Sequence, residues 1–158
     1  MAFLGDVPAR GYAPDMPRAA SPEMHQRFKE GFEWWNCGEL DLMEDHYAED
    51  AEFDVSAVFS DQRPFRGRGS MRRYWDEMWK TWEGMRMDPI EVFEIGGGRF
   101  VVDVRWWGKG KRSGVEIDQR FANLYTVRAS DNKVVRLQLF PSVQAAMDHA
   151  TASPAQSG

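Results

Sequence analysis

Residues 71–82 read MRRYWDEMWKTW, and this segment more than any other sets the architecture. Its large apolar side chains recur at the spacing of one helix face, and a helix with so much aromatic surface needs a wide apolar partner. The pattern then changes to strands: IEVFEI, RFVVDVRWW, VEIDQRFANLYTVR and KVVRLQLF, separated by GGG, GKGKRSG and ASDN. We therefore expect an α+β domain in which helices pack into a bent sheet and leave a cone with an open mouth.

Helix and strand signals also precede that segment. Ser21-Pro22-Glu23 has the residues of a helix start, and the first helix is expected to run to about Cys37. A second, short helix follows, and then a strand over 51–58 with Phe53 and Val55 facing inward. The tryptophan-rich helix is expected over about 68–83, and a short helix from Ser142 to about His149 ends the pattern.

Composition limits the classes of partner. The 158 residues predict one domain over 21–150, with an extended arm over 1–20 and a flexible tail over 151–158. A net charge of −5 argues against nucleic acid as a partner. We expect no membrane partner and a cytoplasmic location, because no long apolar run or basic-then-apolar leader is present. The single Cys37 excludes an internal disulfide, and no metal-ligand spacing predicts a metal.

Strand parity predicts which side chains face the core. If residues 109–112 form a turn, Arg105 lies opposite Glu116, and the two strands separate into an apolar face and a charged face. The charged face is expected to point outward as a ladder of cross-strand pairs. Its members are Asp103, Arg105, Glu116, Asp118 and Arg120; the apolar face comprises Val102, Val104, Trp106, Val115, Ile117, Gln119 and Phe121.

Continuing the inward parity places amides among apolar neighbours. Asn123 and Tyr125 follow on the same strand, and Gln138 and Phe140 are expected to face inward on the last one. A buried amide without a partner costs about 1–3 kcal/mol, so mutual hydrogen bonds, bound water or a ligand must satisfy it. Gly31, inside the first helix, either opens room in the cavity or permits close packing of helix on sheet.

Several local phrases resemble the NTF2-like superfamily and, within it, the SnoaL-like branch. These phrases are GELD at 38–41, YAEDAEFD at 47–54, RG at 66–67, SGVE at 113–116 and KVVR to Phe140 at 133–140. The resemblance covers roughly residues 22–150. It implies a mixed or antiparallel curved sheet of about five strands around three main helices, plus a short C-terminal helix. The superfamily includes isomerases, dehydratases, cyclases, epoxide hydrolases and non-catalytic binding proteins.

The resemblance also implies positions for catalytic residues. Ketosteroid isomerase relatives use an aspartate base, a tyrosine and a protonated aspartate, which fall at Val55, Gly31 and Asn123; only Asn123 can still donate a hydrogen bond. Tyr47 matches a supporting tyrosine of that network. Polyketide cyclase relatives carry an acidic group in the cavity, for which Asp54 is the nearest candidate, although strand parity turns it outward.

The remaining candidate groups are not assigned a catalytic role. The arginine and two aspartates of the epoxide hydrolase relatives are incomplete, because the second aspartate falls near Gln138. His46 is interpreted as a surface or packing histidine, not as a base. The arginines between Arg63 and Arg73 are interpreted as a solvated face, with an acidic ligand or a subunit partner as the alternative.

These inferences predict a cofactor-independent enzyme of the isomerase, lyase or cyclase type that acts on a small apolar carbonyl compound. A non-catalytic binding protein for a small hydrophobic molecule is the first alternative, and a dimeric interaction module with a filled core is the second. A homodimer is expected through the outer sheet face, where Ala122 and Leu124 interrupt the charges. Asn123, Tyr47 and Asp54 are the catalytic candidates; the expected ligand-binding residues are Phe28, Trp35, Phe53, Val55, Trp75, Trp79, Trp106, Gln119, Phe121, Gln138 and Phe140.

Overall fold

The computed structural model describes residues 17–153, so most of the predicted arm and tail lie outside the described residues. Within this range the chain forms four helices and one sheet. The helices are α1 (Pro22–Asn36), α2 (Leu40–Asp45), α3 (Arg68–Thr81) and α4 (Val143–Ala152). The strands are β1 (Arg18–Ala19), β2 (Tyr47–Asp54), β3 (Phe65–Arg66), β4 (Trp82–Gly96), β5 (Arg99–Gly110), β6 (Glu116–Val127) and β7 (Val134–Phe140).

The sheet has seven strands across the described residues, in the order β1-β4-β5-β6-β7-β2-β3. It is mixed, because β2 pairs with β7 in parallel and every other pair is antiparallel. It is also open, since β1 and β3 are its two edges. The prediction of about five strands is therefore wrong: β1 and β3 are two residues long, too short to leave a periodic signal.

Several boundaries differ from the sequence-based expectation. Trp82 begins β4 instead of ending the tryptophan-rich helix, and pairing with Gly110 extends that strand through a region without apolar alternation. Tyr47 begins β2, which ends at Asp54 and not near residue 58. The predicted arm contributes β1, and the tail was expected to begin at residue 151, yet α4 continues to Ala152.

The pairing of β5 with β6 preserves the predicted faces. Arg105 lies opposite Arg120, which differs from the predicted register by four residues. Because four is an even number, each side chain stays on the expected side of the sheet. The charged ladder is present: Arg105 donates to both oxygens of Asp118 at 3.0 and 2.9 Å, and Arg120 pairs with Asp103.

Two apolar clusters lie on opposite faces of the sheet. The larger cluster joins α1 and α3 to the inner face, with Phe32, Trp35, Met71 and Trp75 among its buried members. The smaller one lies under α4 and includes Ile95, Val101, Ala122, Leu124 and Phe140.

The smaller cluster corrects the argument for a dimer surface. Ala122 and Leu124 are 0% and 2% exposed because α4 of the same chain covers them. These two side chains therefore cannot form a subunit interface, and the homodimer stays a prediction without them. Among residues 17–153, no helix is long and apolar enough to cross a membrane.

We expect Gly98→Ala to destabilise the β4–β5 hairpin. Gly98 has φ +74°, and a Cβ there would lie 2.5 Å from the carbonyl oxygen of Val127. The backbone conformation and the clash together should lower the free energy of unfolding by about 2–3 kcal/mol, measured by urea denaturation. Gly84→Ala is the matched control, since Gly84 has φ +62° but nothing within 4 Å of its Cβ position. Equal losses in the two variants would contradict the steric explanation.

Candidate functional site

A cavity of about 460 Å³ lies between the helices and the inner face of the sheet. Its wall is mostly aromatic and aliphatic, and it reaches solvent near Val58 and Phe59, which are 37% and 38% exposed. Such a volume suits a small organic molecule. The predicted residues that line it are Phe28, Trp35, Tyr47, Phe53, Trp75, Trp106, Gln119, Phe121 and Asn123.

Two predicted ligand-binding residues belong to the packed core instead. Val55 is fully buried and does not line the cavity. Trp79 lies behind the cavity wall, where its ring is 6.1 Å from that of Trp35 and also covers Gly38. Both predictions were wrong because an inward direction along a strand or helix does not show whether a side chain meets a void or another side chain.

The inward parity predicted for β7 is wrong by one residue. Gln138 and Phe140 face α4, where the Gln138 amide lies 3.3 Å from Nε2 of His149 and the Phe140 ring packs against the same imidazole. Leu137 and Leu139 line the cavity in their place. The pairing of β6 with β7 shifts register between Thr126 and Val127. Alternation counted from β6 through the β6–β7 turn therefore assigns each β7 side chain to the wrong face of the sheet.

Asp54, a predicted catalytic residue, does not line the cavity. Its carboxylate accepts hydrogen bonds from the backbone N–H of Ser56 at 2.9 Å and from the Ser56 hydroxyl at 2.6 Å. This is a local capping contact at the end of β2. The strand has no bulge at Asp54 that would turn the side chain inward, because its register with β7 is regular from Glu52 to Asp54.

The polar centre of the cavity is a cluster of three side chains. The amide nitrogen of Asn123 donates to the hydroxyl of Tyr125 at 3.0 Å. The Tyr47 side chain is close enough to Tyr125 for each tyrosine to affect the pKa of the other. All three residues are buried.

Burial keeps both tyrosines neutral. It raises the pKa of Tyr125 to about 12, even though its contacts with Asn123 and Tyr47 act in the opposite direction. Burial and contact with Tyr125 raise the pKa of Tyr47 well above its ordinary value. The cluster is therefore uncharged at neutral pH, which suits an apolar cavity.

Several buried polar atoms in the cavity wall have no hydrogen-bond partner among the described residues. They are the amide oxygen of Asn123 and the indole N–H groups of Trp35 and Trp106. Each such atom costs about 1–3 kcal/mol when it is left unpaired. Two of the amides predicted to face inward therefore differ. The Gln138 amide contacts His149, whereas Asn123 donates a hydrogen bond through its amide nitrogen and accepts none through its oxygen among the described residues.

The structure places His46, which was interpreted as a surface or packing histidine, in the wall of the cavity. The ring packs against Trp34 with centroids 4.6 Å apart and planes tilted by 45°, and Nδ1 lies 2.9 Å from the carbonyl oxygen of Leu42. His46 is the C-cap of α2, and the path of the chain from that helix into β2 turns its side chain toward α1. No periodic signal in the sequence marks such a position.

Gly31 lines the cavity, and a Cβ built there would have nothing within 4 Å. Close helix packing therefore does not explain this glycine.

The arginine cluster is largely neutralised within the chain: Arg72 pairs with Asp41, Glu44 and Asp76, and Arg66 pairs with Glu52. Among residues 17–153 no three His, Cys, Asp or Glu side chains converge as metal ligands.

The sequence matches the SnoaL-like domain family over residues 28–137, more than half of the chain. The chain therefore belongs to the SnoaL-like family and has the NTF2-like fold. By sequence, no curated protein matches it.

Solved structures share this fold. A protein with a ketosteroid isomerase-like fold from Catenulispora acidiphila, crystallised with trimethylamine, is 13% identical with a TM-score of 0.63, over 80% of this chain and 90% of that chain. The epoxide hydrolase/cyclase-like enzyme SalBIII, described in pyran ring formation in the polyether salinomycin, is 14% identical with a TM-score of 0.64, over 78% and 94%. An NTF2-like protein from Burkholderia xenovorans is 19% identical with a TM-score of 0.61, over 85% and 99%. At these identities the likeness shows the fold alone.

We expect Gly31→Ala to raise the free energy of unfolding by about 0.5–1 kcal/mol, because alanine favours a helix and its methyl group meets no atom. Gly31→Leu should direct its longer side chain into the cavity and weaken the binding of a bicyclic ligand at least tenfold. Urea denaturation and tryptophan fluorescence titration measure the two effects. A destabilised Gly31→Ala variant would show that the site has less room than described.

The buried tyrosines should make stability fall at high pH. An unfolded tyrosine ionises near pH 10, whereas Tyr125 in the fold ionises near 12, so above pH 10 the unfolded state loses a proton that the folded state keeps. Tyr125→Phe should remove up to about 1.4 kcal/mol per pH unit of this loss between pH 10 and 12. Urea denaturation at pH 9, 10 and 11 measures the slopes. Tyr74→Phe should have a smaller effect, and parallel curves for wild type and Tyr125→Phe would contradict the assignment.

Proposed function

We propose that this SnoaL-like protein is a cofactor-independent enzyme of the isomerase, lyase or cyclase type. Its substrate would be a small, largely apolar carbonyl compound held in the aromatic cavity. The carbonyl oxygen would bind at Tyr125, with Asn123 and Tyr47 supporting that hydroxyl. The proposal rests on the family, on the cavity and on the polar cluster at its centre.

The observation that carries the proposal is the hydrogen-bonding state of Tyr125. Its oxygen accepts from the amide N–H of Asn123 at 3.0 Å, which leaves the hydroxyl proton of Tyr125 to donate to another partner. Because Tyr125 lines the cavity, a ligand oxygen can be that partner.

A donor of this kind suits a carbonyl that gains negative charge during reaction. The hydrogen bond from Asn123 into the Tyr125 oxygen stabilises negative charge on that oxygen, which makes the O–H of Tyr125 a stronger donor. The surrounding aromatic wall excludes water and strengthens the contact. Single donors of this type contribute about 10²–10³-fold to the rate in enzymes that stabilise an oxyanion.

The free amide oxygen of Asn123 adds a preference for a second ligand group. It is buried, it lacks a partner among the described residues, and it belongs to the side chain that touches Tyr125. A ligand hydroxyl or N–H close to the carbonyl would satisfy it. We therefore favour hydroxylated or enolisable ketones over simple hydrocarbons.

A non-catalytic binding protein remains the second candidate, and one observation favours it. No aspartate or glutamate lies among the described residues that line the cavity, so the usual carboxylate base of a proton-transfer site is missing. The third alternative, an interaction module with a filled core, is disfavoured by a cavity of about 460 Å³.

Ligand binding tests the carbonyl contact directly. We expect 2-tetralone to quench the fluorescence of the cavity tryptophans and to bind more tightly than tetralin, the hydrocarbon of the same shape. Tyr125→Phe should weaken tetralone binding about fivefold, the value of one neutral hydrogen bond, and leave tetralin unchanged. Gln138→Leu is the matched control, because that amide lies outside the cavity. Equal affinity of wild type for the two compounds would refute a carbonyl contact.

A further inference from the structure

The two ring nitrogens of His46 differ, because Nδ1 makes a hydrogen bond within the protein and Nε2 can make one to a ligand. Nδ1 lies 2.9 Å from the carbonyl oxygen of Leu42, one turn earlier in the chain. A carbonyl oxygen only accepts, so the neutral ring carries its proton on Nδ1. Nε2 then holds a lone pair and is the nitrogen that can meet a ligand.

The ring is also held in place. It packs against Trp34 at 4.6 Å between centroids, and the backbone carbonyl of His46 accepts from the N–H of Val134 at 2.9 Å. Contacts of the ring with Trp34, of Nδ1 with Leu42 and of the backbone with Val134 leave the imidazole little freedom to turn. A base that is fixed in this way loses little entropy when it meets its substrate.

His46 adjoins the polar cluster along the chain and across the sheet. The next residue, Tyr47, starts β2 opposite Val134 and lines the cavity together with Tyr125. His46, Tyr47, Asn123 and Tyr125 all line the same cavity. A ligand with its carbonyl oxygen at Tyr125 therefore has this imidazole in the wall around it.

We propose that His46 is the general base of this site. This inference rests on the proposed carbonyl substrate. Nε2 removes a proton from the carbon beside the carbonyl: the C–H bond breaks, an N–H bond forms, and the electron pair moves to give an enolate whose oxygen receives the hydrogen bond of Tyr125. The imidazolium then returns the proton to carbon, or to a leaving group, so no other reactant is needed.

Charged groups lie near the imidazole. His46 also borders a polar cleft where α1, α2 and the β6–β7 turn meet. Arg27 donates to the carbonyl of Asn132 and Lys133 to the carbonyl of Asp45, which fixes both cations at the rim of the cleft. The titratable groups that share this cleft with His46 are Glu23, Arg27, Asp45, Asp131 and Lys133.

Deuterium exchange provides the test. Wild-type protein in D₂O should accelerate exchange of the acidic methylene protons of 2-tetralone, followed by NMR. The rate should rise with pH and then level off, because a general base acts only in its unprotonated form. His46→Gln should slow exchange at least 100-fold and abolish this rise, while tetralone affinity changes less than threefold. Imidazole in solution should restore part of the exchange to His46→Ala.

Matched variants separate the outcomes. His25→Gln, an exposed histidine on α1, should exchange like wild type. Tyr125→Phe should lower the rate but retain the pH dependence. If tetralone binds but wild type shows no exchange, or if His46→Gln exchanges as fast as wild type, His46 is not the base although the carbonyl site stands. If tetralone does not bind better than tetralin, the carbonyl proposal fails, and the role of His46 fails with it.

Discussion

The pairing of β5 with β6 is the constraint on which the cavity depends. It runs from Arg99 opposite Thr126 to Lys109 opposite Glu116, and it separates the apolar inner face from the charged outer face. A slip of β6 by one residue would turn Asn123 and Tyr125 out of the cavity and turn Asp118 and Arg120 toward it. Burying those charges would cost far more than the ladder gains, so the register is strongly specified.

The cavity combines an apolar wall with a few polar atoms that the fold leaves partly unsatisfied. Most buried polar groups in proteins have partners, and exceptions concentrate at sites where a ligand supplies them. Here the amide oxygen of Asn123 has no partner among the described residues, while the amide nitrogen of the same side chain donates to the Tyr125 hydroxyl. The same low-dielectric surroundings that hold the tyrosines neutral would strengthen each hydrogen bond to a ligand.

The helices decide which surfaces remain available. α1 and α3 close the inner face, and Arg72 on α3 joins α2 through Asp41 and Glu44 at 2.6 and 2.8 Å. α4 covers part of the outer face and removes the apolar patch expected for a dimer. His46 then takes its place between the end of α2 and α1, where Trp34 holds the ring.

The sequence alone was sufficient for the fold class, for the helix starting at Pro22, for the tryptophan-rich helix and for the two faces of the β5–β6 hairpin. These features follow from local periodicity and capping, which act over a few residues. It also placed Asn123, Tyr47 and seven aromatic or amide residues at the cavity. Tertiary structure alone decided the short edge strands, the face of β7 and the positions of Asp54 and His46. Those depend on a register shift at Thr126, on a side chain capping its own turn and on the path between two elements, none of which repeats along the chain.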